Sequence, residues 1–384
     1  MAPVRELTVV AEQLLAPVPG GTGRYTAELL RALAETAPED WRVAGVVARH
    51  GDVEAARVAG VAGPRVLPVG RRVLTELWRR GTPWWPGGDA VHAPTPLAPP
   101  RAPRGRTLSV TVHDTVPWTH PETLTPRGVS WHRAAITAAL RRADGVVVPT
   151  RAVADDLARH VAGPAPVHVV GHGTTSWPEP APLATTEAAS PPSEPLRSGL
   201  PERYVLAVGT VEPRKGIDVL IRAMAGIGDA PLVLAGQPGW GGLDPRRVAA
   251  DAGLPPERVR VLGRLTDAEL ITVLRGASAL AAPSFAEGFG LPVLEAMAAG
   301  VPVVHSDAPA LVEVAGGAGR CVPRGDADAL AAALREVLTG GEYARTLVRA
   351  GRTRARAFTW GAAAQAIWRL HTTSPARTPA TVDP

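Results

Sequence analysis

A run of 24 residues, SFAEGFGLPVLEAMAAGVPVVHSD at 284–307, does most to restrict what this chain can fold into. Small apolar residues at 277–283 precede it and end in Pro283, the pattern of a buried strand running out into a loop. Glu287 and Glu295 follow with seven residues between them, and Gly288-Phe289-Gly290-Leu291-Pro292 lies inside that interval. Pro292 suits the first position of a helix, and Leu294, Met297 and Ala298 give a helical apolar stripe. Gly300 suits the position just past the helix end. Residues 301–304 read as the next strand.

That pattern puts a glycine-rich corner between a strand and a helix. The first N–H groups of a helix have no partner in the chain, so those at 288–291 favour an anion above the helix start. The two glycines let a ligand come close to the backbone. Glu295 is expected in the first helical turn, facing the same crevice, where a carboxylate accepts hydrogen bonds from sugar or ribose hydroxyls. Taken singly, Glu295 could merely complement the helix dipole and Glu287 could be a solvated loop residue. The ordered set of Glu, two Gly, Pro and Glu speaks for a ligand instead.

The second half of the chain repeats the strand–loop–helix theme. Residues 204–208 read as a strand, 209–216 (GTVEPRKG) as its loop and 217–225 as a helix. Arg214 and Lys215 stand together at the strand's carboxyl end, where they can neutralise a pyrophosphate. Arginine offers a planar fork and lysine a compact point charge, and each such charged hydrogen bond is worth roughly 1.5–3 kcal/mol. Lys215 is also the one lysine in the sequence, so it stands out against an arginine-rich composition. Chance survival is the alternative. Further strands are read at 232–236 and within 259–265, where Gly263-Arg264-Leu265 forms the exit loop. Helices are read at 267–275, 326–338 and 342–357, and a last one from Trp360 to about Leu370.

The first half opens with a strand and its exit over 7–15, a glycine-rich turn over 17–23 holding Gly20, Gly21 and Gly23, and a helix over 24–35. Strand, glycine loop and helix together cradle phosphates in many α/β folds. Strands are expected at 42–48 and 65–69. Residues 71–80 form an amphipathic helix with Val73, Leu74, Leu77 and Trp78 inward and arginines at both ends. Packing on the sheet is its first reading and lying on an anionic membrane its second. A short strand at 90–92 follows, with His92, Trp84 and Trp85 read as bordering an acceptor site. The strand over 107–114 ends in His113-Asp114, and a histidine at the carboxyl end of a parallel strand faces the ligand crevice. Helices at 129–143 and 151–160 flank a strand and loop at 144–150, and 167–170 is the last strand of this half.

A length of 384 residues makes two domains the default. The composition, 45% hydrophobic and 20% charged, fits a globular protein. The net charge of +5 favours acidic partners, but no basic–aromatic platform supports nucleic acid as one of them. The lone Cys321 rules out an intrachain disulfide and a multi-cysteine metal site, and is expected to pack as a small apolar residue. No apolar run reaches membrane-spanning length, and the first residues lack a signal-type apolar block, so a cytoplasmic location is expected. Residues 177–199 are rich in Pro, Ala, Ser, Thr and Glu and read as a linker. The resulting division is 1–175, a linker at 176–201, 202–357, a C-terminal helix at 358–371 and a disordered tail at 372–384.

The stretch at 284–307 resembles the Glu-x7-Glu signature of the retaining glycosyltransferases of family 4. The loop at 209–216 resembles that family's Gly-x-x-x-x-Arg-Lys donor motif. GGTGRY at 20–25 and HDTVPWTHPET at 113–123 are similar to its first-domain loops. The resemblance covers about residues 7–175 and 202–370. It implies an α/β chain of the GT-B fold: two Rossmann-like domains with parallel sheets facing a central cleft, and a C-terminal helix crossing back to the first domain. It further implies that His113, Arg214, Lys215 and Glu287 are catalytic and that Glu287 holds sugar hydroxyls. Glu295 would hold the ribose, and Arg264 and Leu265 would lie beside the base. Gly21, Gly23, Gly209, Gly288, Phe289, Gly290 and Leu291 would complete the donor site. One departure stands out: Gly171-His172-Gly173-Thr174 occupies the place where family members usually carry Asn-Gly-Val-Asp.

The implied reaction takes a nucleotide-diphosphate sugar as donor and a glycan or lipid-linked acceptor. It uses no cofactor and no metal, since no Asp-x-Asp motif stands where a metal-dependent transferase needs one. GDP-mannose is the first-choice donor, with retention through front-face attack assisted by the leaving phosphate. A lipid-linked acceptor leaves room for peripheral contact with the inner face of a membrane. The rivals are a nucleotide-sugar epimerase of the same fold, a non-catalytic sugar-nucleotide binder and an NAD-dependent oxidoreductase. The last needs Gly-x-Gly-x-x-Gly after the first strand, and GGTGRY lacks the third glycine.

Overall fold

A computed structural model of the chain describes residues 4–174, 199–239 and 241–373. Most of the linker expected at 176–201 and of the tail expected from 372 lies outside these residues. The chain divides into two units, Met1–Gly173 with Thr359–Pro384, and Thr174–Phe358.

The first unit is built on seven parallel strands: β1 (Arg5–Val10), β2 (Trp41–Arg49), β3 (Ala62–Gly70), β4 (Ala90–Ala93), β5 (Thr107–Thr111), β6 (Gly145–Val148) and β7 (Val167–Val169). Their order is β3-β2-β1-β4-β5-β6-β7. The central strands are apolar on both faces, as a parallel sheet covered by helices requires, and β4 and β6 have every residue buried. Strand order reverses between β1 and β4, so the crevice at their carboxyl ends is where such a sheet binds ligands.

Within the strand and exit expected at 7–15, the strand ends at Val10 and the exit is a short turn over Glu12–Leu15. The cause is Glu12, whose buried carboxylate accepts from the Ala48 N–H at 2.8 Å and pairs with His50 at 2.7 Å, drawing the chain off the sheet into a short 3-10 turn. The expected glycine turn is likewise already helix, because the first helix runs Gly20–Glu35. The Gly23 N–H donates to the Pro19 carbonyl at 2.9 Å, and a Cβ on residue 23 would stand 2.4 Å from Pro19 Cβ. Gly23 therefore seats the helix on Pro19. In helix Arg71–Arg79, Leu74 and Trp78 are buried as expected, but Val73 is 51% exposed.

The second unit carries six parallel strands: β8 (Val205–Val208), β9 (Leu232–Ala235), β10 (Val259–Gly263), β11 (Ala279–Ala282), β12 (Val303–Ser306) and β13 (Arg320–Val322). Their order is β10-β9-β8-β11-β12-β13. The reversal lies between β8 and β11, which pair Ala279 with Val205 and Leu280 with Leu206. Helices Pro245–Asp251 and Pro309–Ala315 and strand β13 have no clear signal in the sequence, since elements of seven and three residues are too short for a period to show. Cys321 is exposed on β13 and not packed, because it alternates with the inward Val322 on an edge strand.

Helix Trp360–Thr372 belongs to the first unit. The Trp368 indole donates to the Leu33 carbonyl at 3.2 Å and packs edge-on against Trp41. His371 is buried at the sheet, with Nδ1 2.7 Å from Thr107 Oγ1 and Nε2 2.8 Å from Ser109 Oγ. Burial lowers its pKa from 6.5 to about 3. The folded ring therefore stays neutral while the unfolded one protonates, and stability drops as pH falls from about 6.5 toward 3. We expect His371→Gln to flatten part of that drop. Denaturant unfolding at pH 7 and pH 5 reads it, and equal losses in both proteins would contradict the linkage.

Candidate active site

The loops that leave β8 and β11 lie side by side because their strands are neighbours in the sheet. The first runs from Gly209 through a 3-10 turn, Pro213–Lys215, to helix Ile217–Met224. The second runs through 283–290 to helix Leu291–Ala299. Glycines cap both helices, Gly216 and Gly290, and neither has a side-chain cap. Two helix starts without side-chain caps thus border one small cavity, together with Gly209, Thr210, Lys215, Ser284 and Glu287. Partial positive charge from both helix ends favours an anion there.

The charged side chains of this cavity are already paired. Lys215 Nζ donates to Glu287 Oε1 at 2.6 Å, and Ser284 Oγ donates to the same oxygen at 2.7 Å. Arg214 donates to Glu212 Oε1 at 2.6 Å and to the Ala286 carbonyl at 2.7 Å, and its Nη1 is 3.6 Å from Glu287 Oε2. The side chains of Lys215 and Glu287 are only 17% and 13% exposed. Burial pushes the Glu287 carboxyl up, but the charges of Lys215 and Arg214 and the bonds from Lys215 and Ser284 outweigh it and hold the group below its ordinary range. The lysine stem passes over Gly209, within about 3.6 Å of where a Cβ would stand. Glu212, the counter-ion of Arg214, and Ser284, the second donor to Glu287, are residues of this cluster that sequence reasoning passed over.

The other expected donor residues spread out from this centre. Phe289 is buried edge-on against Phe358, and Leu291 is buried as the first helical residue. Pro292 is the second helical residue and not the first, so Glu295 falls in the second turn and not the first. It is 1% exposed, enclosed by a helix whose other buried residues are Leu291, Val293, Leu294, Ala296 and Met297. Ala298, expected in the apolar stripe, is exposed. Arg264 is exposed and Leu265 half-buried just past β10, the edge strand two places from β8.

In the first unit, a crevice of about 1200 Å³ opens at the carboxyl ends of the strands, and Glu12, Gln13, Thr22, His113 and Asp114 line it. Arg71, Arg72, Arg79 and Arg80 from helix Arg71–Arg79 and its end, with Arg127, line one wall, where Glu76 pairs with Arg79 and Arg80 and leaves the arginines in excess. His113 Nε2 donates to the Pro94 carbonyl at 2.8 Å, which leaves Nδ1 as an acceptor in the neutral ring. Burial lowers its pKa against the opposing pull of that bond and of Asp114. Tyr25 meets His113 edge-on at 4.7 Å, and its hydroxyl lies 3.1 Å from Thr111 Oγ1. Gly21 and Gly23 sit in the first turn of the helix that carries Tyr25. His172, in the loop that departs from the family pattern, stacks on Trp360 at 5.8 Å and lies 5.7 Å from His113. His92 does not border this crevice: it is fully buried, 2.8 Å from Ser109 Oγ and 3.3 Å from Thr111 Oγ1. Trp84 and Trp85 pack against the core beneath.

Comparison with known proteins agrees with this geometry. The sequence family described as Glycosyl transferases group 1 matches residues 193–354, and that described as Glycosyltransferase Family 4 matches residues 19–175. The chain belongs to glycosyltransferase family 4. As in that family, its fold is GT-B: sucrose-phosphate synthase from Thermosynechococcus elongatus superposes with a TM-score of 0.72 at 25% identity, over 95% of this chain and 98% of that one. O-antigen chain mannosyltransferase B of Escherichia coli is 37% identical over 162 residues, which are 41% of this chain and 42% of that protein. Phosphatidyl-myo-inositol mannosyltransferase of Mycobacterium leprae is 36% identical over 191 residues, 47% of this chain and 50% of that protein. The chain spans about half the length of the curated relatives it matches.

In this family 4 chain the loops after β8 and β11 are fixed to one another through Gly216. Its φ is +63°, and a Cβ would stand 2.3 Å from the Pro283 carbonyl oxygen. Gly216→Ala therefore meets both a left-handed backbone and a backbone clash, and we expect a loss of about 2 kcal/mol in stability. Thermal or denaturant unfolding measures it, and a change within 0.5 kcal/mol would show that the loops move apart freely.

Proposed function

We propose that the protein is a retaining glycosyltransferase that moves a hexose or deoxyhexose from a nucleotide-diphosphate sugar to a hydroxyl of a glycan or lipid-linked acceptor. The observation that carries this reading is the placement of Lys215 and Arg214 beside two helix starts without side-chain caps at the strand-order reversal of the second unit. A diphosphate suits that cavity in charge. GDP-mannose is the first-choice donor, in keeping with the mannosyltransferases among the relatives.

In the proposed reaction, the bond between the sugar's anomeric carbon and the diphosphate oxygen breaks, and Lys215 and Arg214 stabilise the charge that develops on the leaving group. The acceptor oxygen attacks the same face, and its proton passes to the departing phosphate. Glu287 holds sugar hydroxyls and Glu295 the ribose. Arg264 and Leu265 flank the base. The crevice of the first unit takes the acceptor, which His113 orients through its accepting nitrogen, and its arginine wall suits an acceptor that carries negative charge. Peripheral membrane contact follows where that acceptor is a lipid. Among the described residues, no helix is long and apolar enough to cross a membrane. No metal is required in this scheme, because the lysine, the arginine and the helix starts supply the positive charge.

Thermal-shift screening with GDP, UDP, dTDP and ADP tests the donor site, since a ligand raises the melting point by mass action. One nucleotide should stabilise the wild type and lose its effect in Lys215→Ala. No shift with any of them, together with a shift by NAD, would favour an oxidoreductase. With an α-linked donor, NMR of the product should show an α linkage in the presence of EDTA. A β-linked product would remove the retaining mechanism, and activity lost to EDTA and restored by magnesium would remove metal independence.

A further inference from the structure

The cation best placed for a diphosphate is not vacant. The ammonium of Lys215 is bonded to Glu287, and the carboxylate is held in its seat by Ser284 on the same oxygen and faced by Arg214 on the other. Ser284 is itself buried, and its carbonyl accepts from Ser306 Oγ at 2.5 Å, so the seat is anchored to the next strand of the sheet. A nucleoside diphosphate entering this cavity brings further negative charge against a carboxylate already engaged with the lysine. Like charges at such range in a partly buried site repel strongly. A donor that also carries a hexose brings hydroxyl donors to the same carboxylate. Those hydroxyls can satisfy Glu287 as Lys215 turns to the phosphate, and Ser284 keeps the carboxylate in place through the exchange.

We propose that Glu287 is a resident counter-ion of Lys215 that weakens binding of the bare diphosphate relative to the sugar-bearing donor, so that the site selects loaded donor over spent nucleoside diphosphate. This rests on the glycosyltransferase reading and deepens it by assigning the donor-over-product preference to one ion pair. The chemistry is exchange of hydrogen-bond partners only. Lysine moves from carboxylate to phosphate, and carboxylate moves from lysine to hydroxyl. When transfer removes the sugar, Glu287 regains Lys215 and the diphosphate is held more weakly.

The test is a set of dissociation constants by calorimetry for the nucleoside diphosphate that stabilises the wild type and for its hexose donor (GDP and GDP-mannose as first probes). The proteins are wild type, Glu287→Gln, Lys215→Ala and the double variant. Gln keeps the shape and can still accept from Ser284, but it lacks the charge. We expect Glu287→Gln to bind the diphosphate about tenfold tighter, while its affinity for the hexose donor stays level or falls. The gain should disappear in the Lys215→Ala background, because it arises from freeing the lysine. Weaker or unchanged diphosphate binding in Glu287→Gln overturns the proposal. So does a gain of equal size with and without Lys215, which would mark general charge repulsion. If Glu287→Gln fails to melt cooperatively, Glu287→Met, of similar length and uncharged, takes its place with the same expected outcomes. A wild type that binds neither any of the four diphosphates nor a hexose donor refutes the donor-site reading itself, whereas binding that ignores residue 287 refutes only this inference.

Discussion

The ion pair between Lys215 and Glu287 is the interaction on which the second unit's site depends. It joins the loop after β8 to the loop after β11, and the surrounding contacts repeat the connection. The Phe285 N–H donates to the Arg214 carbonyl at 2.8 Å, Arg214 reaches the Ala286 carbonyl, and Gly216 sits against Pro283. These bonds hold two helix starts beside one cavity. Without them, each loop would present its charges separately, and the positive ends of the two helices would not reinforce one another. A parallel sheet makes the arrangement possible, because strands that neighbour each other across a reversal of order send their loops out at the same edge.

The first unit solves a different problem with uncharged groups. Its crevice floor rests on a connected set of neutral rings and hydroxyls: Tyr25 to Thr111, Thr111 to His92, His92 to Ser109, and Ser109 to His371. Burial disfavours the protonated form of both imidazoles, and in His92 the neighbouring His371 and His113 add to the effect. Neutral histidine can donate from one nitrogen and accept at the other, which suits a buried chain of hydroxyls that must each be satisfied. The final helix is thus bound to the underside of the sheet by polar contacts as well as by Trp360 and Trp368.

Much of the fold was legible because parallel strands buried on both faces leave short, unbroken apolar runs, and glycine or proline marks their ends. Lys215, Arg214 and Glu287 were legible for a related reason: each follows a strand closely, so knowing the strand places the side chain at the ligand-binding edge. What failed had physical causes. Spacing shows which residues share a face of a helix, but not whether anything covers it, so it puts Val73 and Ala298 on inward faces although both are exposed. A strand of three residues has no period, so Cys321 was placed inside. His92 and Trp84-Trp85 are close in sequence to a crevice, but the strand that carries His92 turns it into the sheet. His172 lies in the loop that departs from the family pattern, so the resemblance assigns it no role. Its place beside Tyr25, His113 and Trp360 depends on chain segments far apart in sequence, which no local pattern reports.

An arginine-rich chain with a single lysine has a chemical consequence of its own. Apart from the α-amino group, the only primary amine in the protein stands in the donor cavity, two hydrogen bonds from the sheet through Glu287 and Ser284. Reductive alkylation, which is confined to amines, therefore has one side chain in this sequence to address. Isotopic labelling of the lysine side chain places one ε-nitrogen beside the Glu287 carboxylate. The composition that left one lysine in the sequence has also left the protein with a built-in spectroscopic probe.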